Sequence, residues 1–388
     1  MAKVLKVAMI GYGFMGKVHS NAWRSVNHFF PEAPQVEMTV ICGRSAQALE
    51  AARVQFGWKE AETDWKAIIS RSDIDIVDIC TAGDMHEEIA IAALRAGKNV
   101  ICEKPLANNG AQAVAMAAAA SEAAKKGVKS MVAFNYRRVP ALALAKSFID
   151  SGKLGRIFHV RANYLQDWII DPEFPLVWRL EKKTAGSGAL GDIAAHIVDA
   201  AFFLTGSKIT KVSGQLKTFI EERPLPGAYT GLTAAGTSAR GKVTVDDTAV
   251  FTAQLDNGAI GVFEATRFAA GRKNAMSIEI NGSKGSLFFN FEDMNELLFH
   301  DHTEESKDAG FKKILATDGN HPYMAAWWPP GHIIGYEHTF THEMKDFIVA
   351  IDENFAPSPS FADGLYVQQV LDAVEVSANS NSQLTEVK

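Results

Sequence analysis

The tightest constraint on the fold is a glycine pattern, Gly11-Tyr12-Gly13-Phe14-Met15-Gly16, set between a run of apolar residues and a helical one. Residues 4–10 read as a strand and 16–24 as the helix that follows. Gly11 permits a tight turn, Gly13 lets the backbone approach a pyrophosphate, and Gly16 lets helix and strand pack closely. The start of the helix, with Phe14 and Met15 in it, offers free N–H groups and a positive dipole end to phosphates. Such a motif carries meaning only in a strand–helix context, and here that context continues. Residues 36–42, 74–81, 99–102 and 130–135 read as further strands, and 46–56, 86–96 and 111–126 as helices. Strands alternating with helices imply right-handed crossovers and a doubly wound parallel sheet, an α/β fold.

After about residue 135 the texture changes, and 388 residues suit two domains. We expect a dinucleotide-binding Rossmann domain over 1–134 and a substrate-binding and oligomerisation α/β domain over 135–388. In the latter, 140–151 and 192–204 read as helices. Residues 248–255 and 259–267 read as a hairpin across Asn257-Gly258, the pair a type I′ turn favours. Residues 277–280 and 286–291 read as another. The second domain should therefore be α+β, with a mostly antiparallel sheet. Residues 221–245 and 301–337 read as long loops, the latter rich in aromatics and His (His321 to His338), suited to a lid or an interface arm.

A net charge of -6 without clustered Lys and Arg argues against nucleic acid or an anionic membrane as partner. Cys42, Cys80 and Cys102 lack CxxC spacing and read as buried thiols of a reducing compartment. Lys6 interrupts the N-terminal apolar run, and no uninterrupted apolar stretch is long enough to cross a bilayer. A cytoplasmic location is expected.

Three places carry chemistry. The second strand ends on Cys42-Gly43-Arg44-Ser45, with no carboxylate for a ribose 2′-hydroxyl. Arg44 could meet a 2′-phosphate or stack on adenine, so NAD and NADP both stay open. Glu103-Lys104-Pro105 follows the fourth strand, which aims Lys104 at the crevice beyond the carboxyl ends of the strands. Asp192, His196 and Asp199 recur at steps of four and three on one helical face. An imidazole flanked by carboxylates has its tautomer fixed and suits a general base. His338 and His342 lie four apart without the HExxH order, so no metal site is expected.

These motifs, with Asn135-Tyr136-Arg137-Arg138, together resemble the Gfo/Idh/MocA family over nearly the whole chain. Stretches such as 164–168, 178–179 and 185–192 resemble its levoglucosan and inositol dehydrogenase-like branch. The resemblance implies an NAD(P)-dependent dehydrogenase that oxidises a secondary hydroxyl of a sugar or cyclic polyol. It also implies a large open C-terminal sheet that forms homodimers or homotetramers. Lys104, Asp192 and His196 would be the catalytic group. His196 would exchange the hydroxyl proton, Lys104 hold the oxygen, and Asp192 orient both. On this layout the cofactor meets Gly11, Gly13, Phe14, Met15, Gly16, Arg44, Ser45, Thr81, His86, Glu103, Lys104, Trp178 and Arg179. Tyr136, Tyr164, Gln166 and Trp168 join Lys104, Asp192 and His196 around the substrate. Many relatives have Thr-Pro where this chain has Thr81-Ala82. Two other functions fit the fold: a dinucleotide-dependent sugar sensor without turnover, and a redox-neutral glycosidase that uses bound NAD transiently.

Overall fold

The computed structural model describes residues 4–230 and 233–388. The first three residues of the N-terminal run that Lys6 interrupts, and part of the 221–245 stretch, lie outside the described residues. The chain forms two compact units, Met1–Asn135 with Gly335–Tyr366, and Tyr136–Ile334 with Val367–Lys388. A division at 134/135 does not include the return of Gly335–Tyr366 to the first unit. A change of texture along a sequence marks where one pattern stops, not where a later helix docks.

In the first unit, β1 (Leu5–Ile10) leads into α1 (Phe14–Phe29). The buried positions of α1 (Gly16, His19, Ala22, Trp23 and Val26) recur at helical steps. Then follow β2 (Val36–Cys42), α2 (Ala46–Phe56), β3 (Glu60–Glu62), α3 (Trp65–Ser70), β4 (Ile76–Ile79), α4 (His86–Arg95), β5 (Asn99–Glu103), α5 (Gly110–Ala124) and β6 (Ser130–Ala133). The six strands are all parallel in the order β3-β2-β1-β4-β5-β6. Strand order reverses between β1 and β4, where sheets of this kind bind ligands. The elements β3 and α3 were not expected, because at three and six residues they show no apolar period.

The second unit opens on α6 (Pro140–Asp150), with Pro140 in its first turn where no helical N–H is lost. It continues through β7 (Ile157–Leu165), α7 (Lys182–Ala185), α8 (Ala195–Thr205), β8 (Ile209–Lys217), β9 (Glu222–Thr230), β10 (Thr233–Lys242), β11 (Thr248–Leu255), β12 (Ile260–Thr266), β13 (Ala275–Gly282), β14 (Gly285–Asn290), β15 (Glu296–Asp301) and β16 (Lys312–Leu315). The return segment supplies α9 (Tyr336–Asp352) to the first unit; α10 (Phe361–Asn379) and β17 (Thr385–Glu386) complete the chain.

Nine strands form one sheet in the order β16-β15-β14-β13-β7-β12-β11-β8-β17. It is mostly antiparallel, with β7 and β12 the parallel pair. One face packs against α6 and α8, and Val374 of α10 meets Gly214 of β8. The other face leaves Val250, Ile260 and Val262 exposed on adjacent strands. Beneath the helices Phe251 and Phe263 face each other across β11 and β12, their rings stacked 4.8 Å apart and fully buried.

Residues 221–245 are not a long loop: β9 and β10 pair as a two-stranded hairpin. Pro224, Pro226, Gly236 and Gly241 mask the strand pattern, yet a ribbon with two edges tolerates residues that would break a central strand. The buried Arg223 guanidinium donates to the carbonyls of Ile169 at 2.6 Å, Asp171 at 2.8 Å and Phe174 at 3.3 Å. Ala234, Val243 and Val245 share a small core with Ile169, Leu176, Val177 and Leu180. Within 301–337, β16 pairs with β15, so that stretch too is partly sheet. The β11–β12 hairpin stands, but its turn is not type I′. Leu255 N–H donates to Ala259 across a three-residue loop in which Gly258 has φ of +86° and Asn257 does not enter that region. One helical stretch among the described residues, Lys182–Thr205, is long and apolar enough to cross a membrane. Because 78% of its apolar window is buried inside the protein, it reads as a core helix.

Phe263→Ala should cost about 3–5 kcal/mol by removing one ring of the central stack. Urea unfolding would show it as a lower midpoint with an unchanged slope; a loss under about 1 kcal/mol would mean that the stack does not anchor the sheet.

Candidate active site

The glycine loop does what its spacing suggests. Gly11 has φ of +105°, and a Cβ there would lie 2.6 Å from the carbonyl oxygen of Cys80. A Cβ on Gly16 would strike the carbonyl oxygen of Gly11 at 2.2 Å, so α1 and β1 pack backbone to backbone. Gly13 meets nothing within 4 Å, and it begins α1 with no side-chain cap. The amides of the first turn, next to exposed Phe14 and half-buried Met15, therefore face open space. At the end of β4 the Thr81 hydroxyl is buried without a hydrogen-bond partner among the described residues. These groups fit a dinucleotide: unsatisfied donors at the switch point and room for phosphate beside Gly13.

Beyond β2, Arg44 and Ser45 are exposed, and the Tyr12 ring lies so close to Gly43 that a Cβ there would overlap it. Burial, then the charges of Glu62 and Asp64, pushes the Cys42 thiol up to about 12. Two carboxylates from β3 and the turn after it thus act on the end of β2. The sequence reading missed them because β3 itself was missed.

β5 ends on Glu103, and Lys104 follows it, half-buried. His86 is buried at the start of α4. Its Nδ1 lies 3.1 Å from the Pro105 carbonyl oxygen and its Nε2 3.2 Å from that of Thr81. Burial lowers its pKa against the pull of these carbonyl oxygens, and the ring lies between the lysine loop and the turn after β4.

In the second unit Asp192 and His196 do not share one regular α-helix. Leu190–Ala194 form a π-turn, and α8 begins only at Ala195. Inserted turns of this kind re-aim side chains and gather at functional sites. Each flanking carboxylate is held by an arginine. Arg267 Nη2 donates to Asp192 Oδ2 at 2.8 Å and to the Gly188 carbonyl oxygen at 3.2 Å. Arg137 grips both oxygens of Asp199, at 2.9 and 2.6 Å. Asp246, whose pKa burial raises, accepts the N–H groups of Gly188 and Leu190 at 2.7 and 2.8 Å and so fixes the start of the turn.

His196 stacks on Tyr136 with ring centroids 4.4 Å apart, and Phe291 stacks on the far face of the same tyrosine, also at 4.4 Å. The tyrosine hydroxyls of Tyr136 and Tyr164 are 2.6 Å apart. Tyr164 donates to Asn274 Oδ1 at 2.6 Å, Gln166 donates to the same oxygen at 3.0 Å, and Trp168 Nε1 donates to Gln166 at 2.9 Å. The second unit therefore brings together Tyr136, Tyr164, Gln166, Trp168 and His196 in one aromatic, hydrogen-bonded wall. Asn274, Phe291 and Arg267 belong to it and were missed, since an isolated polar or aromatic residue in a strand pattern carries no signal of its own. Trp178 and Arg179 form a short helical turn with the guanidinium 4.3 Å from the indole.

A Rossmann unit with a glycine-loop phosphate site, and a second unit built around a histidine and a carboxylate, define a nicotinamide-dependent dehydrogenase. Residues 5–134 match the oxidoreductase family with an NAD-binding Rossmann fold, and 142–288 match the Gfo/Idh/MocA C-terminal domain. Levoglucosan dehydrogenase of Pseudarthrobacter phenanthrenivorans is 44% identical over 384 residues, 97% of each chain. The crystal structure of an oxidoreductase domain protein from Kribbella flavida matches with a TM-score of 0.95 at 60% identity over 99% of both chains. A levoglucosan dehydrogenase in complex with NADH and levoglucosan matches with a TM-score of 0.93 at 43% identity, covering 99% of this chain and 100% of that one. The chain belongs to the Gfo/Idh/MocA family of oxidoreductases, with the expected fold and the expected class, an NAD(P)-dependent sugar or polyol dehydrogenase.

Gly13→Val should fill the space kept for phosphate and weaken NADH binding by about tenfold or more, with little change in melting temperature. Fluorescence titration of NADH checks this, and unchanged affinity would remove the loop from the cofactor site.

Proposed function

We propose that the enzyme oxidises a ring secondary hydroxyl of a small cyclic sugar or polyol with NAD, a 1,6-anhydro sugar such as levoglucosan being the leading substrate. The observation that carries this reading is the wall around His196. Tyr136, Tyr164, Gln166, Trp168 and Asn274 set hydrogen-bonding tips beside apolar ring faces. A polyhydroxylated ring needs that combination. The nicotinamide supplies the hydride acceptor when it is bound. His196 takes the hydroxyl proton, Asp192 orients the hydroxyl while Arg267 keeps it in place, and Lys104 holds the same oxygen and steadies its charge.

Glu62 and Asp64, whose charges reach Cys42 at the end of β2, support NAD over NADP, since they would disfavour a 2′-phosphate and offset Arg44. Val250, Ile260 and Val262 on the open sheet face support a homodimer or homotetramer joined through that face. Three unpaired buried thiols, Cys42, Cys80 and Cys102, support the cytoplasm as its compartment.

The test is absorbance of reduced nicotinamide, with NAD and NADP run separately against levoglucosan, inositols, glucose and simple glycosides. We expect turnover of a ring polyol with kcat/KM about tenfold or more higher for NAD. Lys104→Ala and His196→Ala should each fold and bind NADH yet lose about 10²- to 10⁴-fold in rate. Near-normal rates in both variants would sink the assignment. Bound cofactor with no turnover on any compound would favour the sensor, and aglycone release without net reduction the glycosidase. Val262→Glu should shift the enzyme toward monomer in light scattering, and an unchanged mass would exclude that face as the joint.

A further inference from the structure

Three ionisable side chains that the reaction above does not use are sealed together inside the first unit. His19 lies on α1 three residues past Gly16, and its Nδ1 is 3.0 Å from both oxygens of Asp78 in β4. Its Nε2 is 2.9 Å from Glu103 Oε1 at the end of β5. Side-chain exposures are 0% for His19, 0% for Asp78 and 5% for Glu103. The other oxygen of Glu103 accepts the backbone N–H of Lys104 at 3.1 Å. Asp78 also takes Trp23 Nε1–H at 2.7 Å and the Cys80 thiol at 3.4 Å.

A neutral imidazole has one N–H, so it cannot donate to two carboxylates at once; a doubly protonated ring can. Burial works against that proton, but the Asp78 carboxylate outweighs it and holds His19 well above the usual range. The groups facing the ring are Asp78 and Cys80 from β4, Glu103 from β5 and the Phe340 ring of α9, 5.4 Å away. Burying such a group is rarely a gain in stability over apolar packing of the same volume. What the arrangement does supply is a fixed link between α1, whose start carries the glycine loop, and β5, whose last residue precedes Lys104.

We propose that His19 is a positioning residue of the dehydrogenase: through Glu103 it sets the backbone of Lys104 in register with the phosphate-binding helix. This role rests on the dehydrogenase reading and on Lys104 as a catalytic group.

The variants are His19→Asn, which keeps a donor toward Asp78 but is too short for Glu103, and Glu103→Gln, which keeps the shape and removes the charge. Each should lower kcat about tenfold or more, and His19→Asn should keep NADH affinity within about threefold. The double variant should lose no more than the worse single one, because both changes cut one path. In ¹⁵N-histidine-labelled enzyme, the His19 ring should show two N–H signals at neutral pH, where an ordinary imidazole shows one. Unchanged kcat in folded His19→Asn, losses that multiply in the double variant, or a singly protonated ring at neutral pH would each overturn the proposal. So would stoichiometric zinc on His19, Asp78 and Cys80, whose donor atoms lie within 4.8 Å of one another. If His19→Asn fails to fold, Glu103→Gln alone decides. An inactive wild type, by contrast, strikes the dehydrogenase reading itself and takes this role with it.

Discussion

The close approach of three backbone segments sets everything in the first unit. Neither Gly11 nor Gly16 has space for a side chain, because the Cys80 carbonyl oxygen and the Gly11 carbonyl oxygen would sit 2.6 and 2.2 Å from a Cβ. With β1, α1 and β4 drawn together in this way, the start of α1 stands over the point where strand order reverses. The turn after β4 and the Lys104 loop after β5 then leave the sheet at the same edge. The second unit uses the same device at Gly188, where a Cβ would fall 1.7 Å from the Asp246 carbonyl oxygen, and so fixes the π-turn that carries Asp192.

Buried charge is the second organising element, and three aspartates of the second unit illustrate it. Asp246 is held by backbone N–H groups, and Asp199 by a two-pronged guanidinium. Asp192 differs in being partly exposed, with 29% of its side chain open while Arg267 beside it is almost wholly buried. A carboxylate anchored by a buried guanidinium and itself partly exposed is suited to orienting a ligand. The His196 ring is in turn held flat against Tyr136, whose far face carries Phe291.

Much of this was legible in the sequence where a short pattern has one physical meaning. The glycine loop and the alternation of apolar runs with helices led to the right elements, while the Asp192-to-His196 spacing led to a regular helix where Asp192 lies in a π-turn. The sequence failed where the decisive partner is far away. Arg267 meets Asp192 across 75 residues, and Asn274 meets Tyr164 across 110. No local period reports such pairs. The β9–β10 hairpin was hidden for another reason: its prolines and glycines follow turn rules, while its stability comes from Arg223 and a small satellite core. The π-turn was invisible because one extra residue in a helical stretch leaves the residue types unchanged.

The return of Gly335–Tyr366 to the first unit matters for how the protein is made. α9 supplies Phe340 beside His19 and His342 beside Phe30, both against α1. During synthesis the Rossmann strands leave the ribosome first, yet the helix that covers α1 emerges about 200 residues later. Until then one flank of the nucleotide-binding half stays open to water and to other chains. A gene split between the two textures of the sequence would therefore yield a Rossmann half without the helix that covers α1.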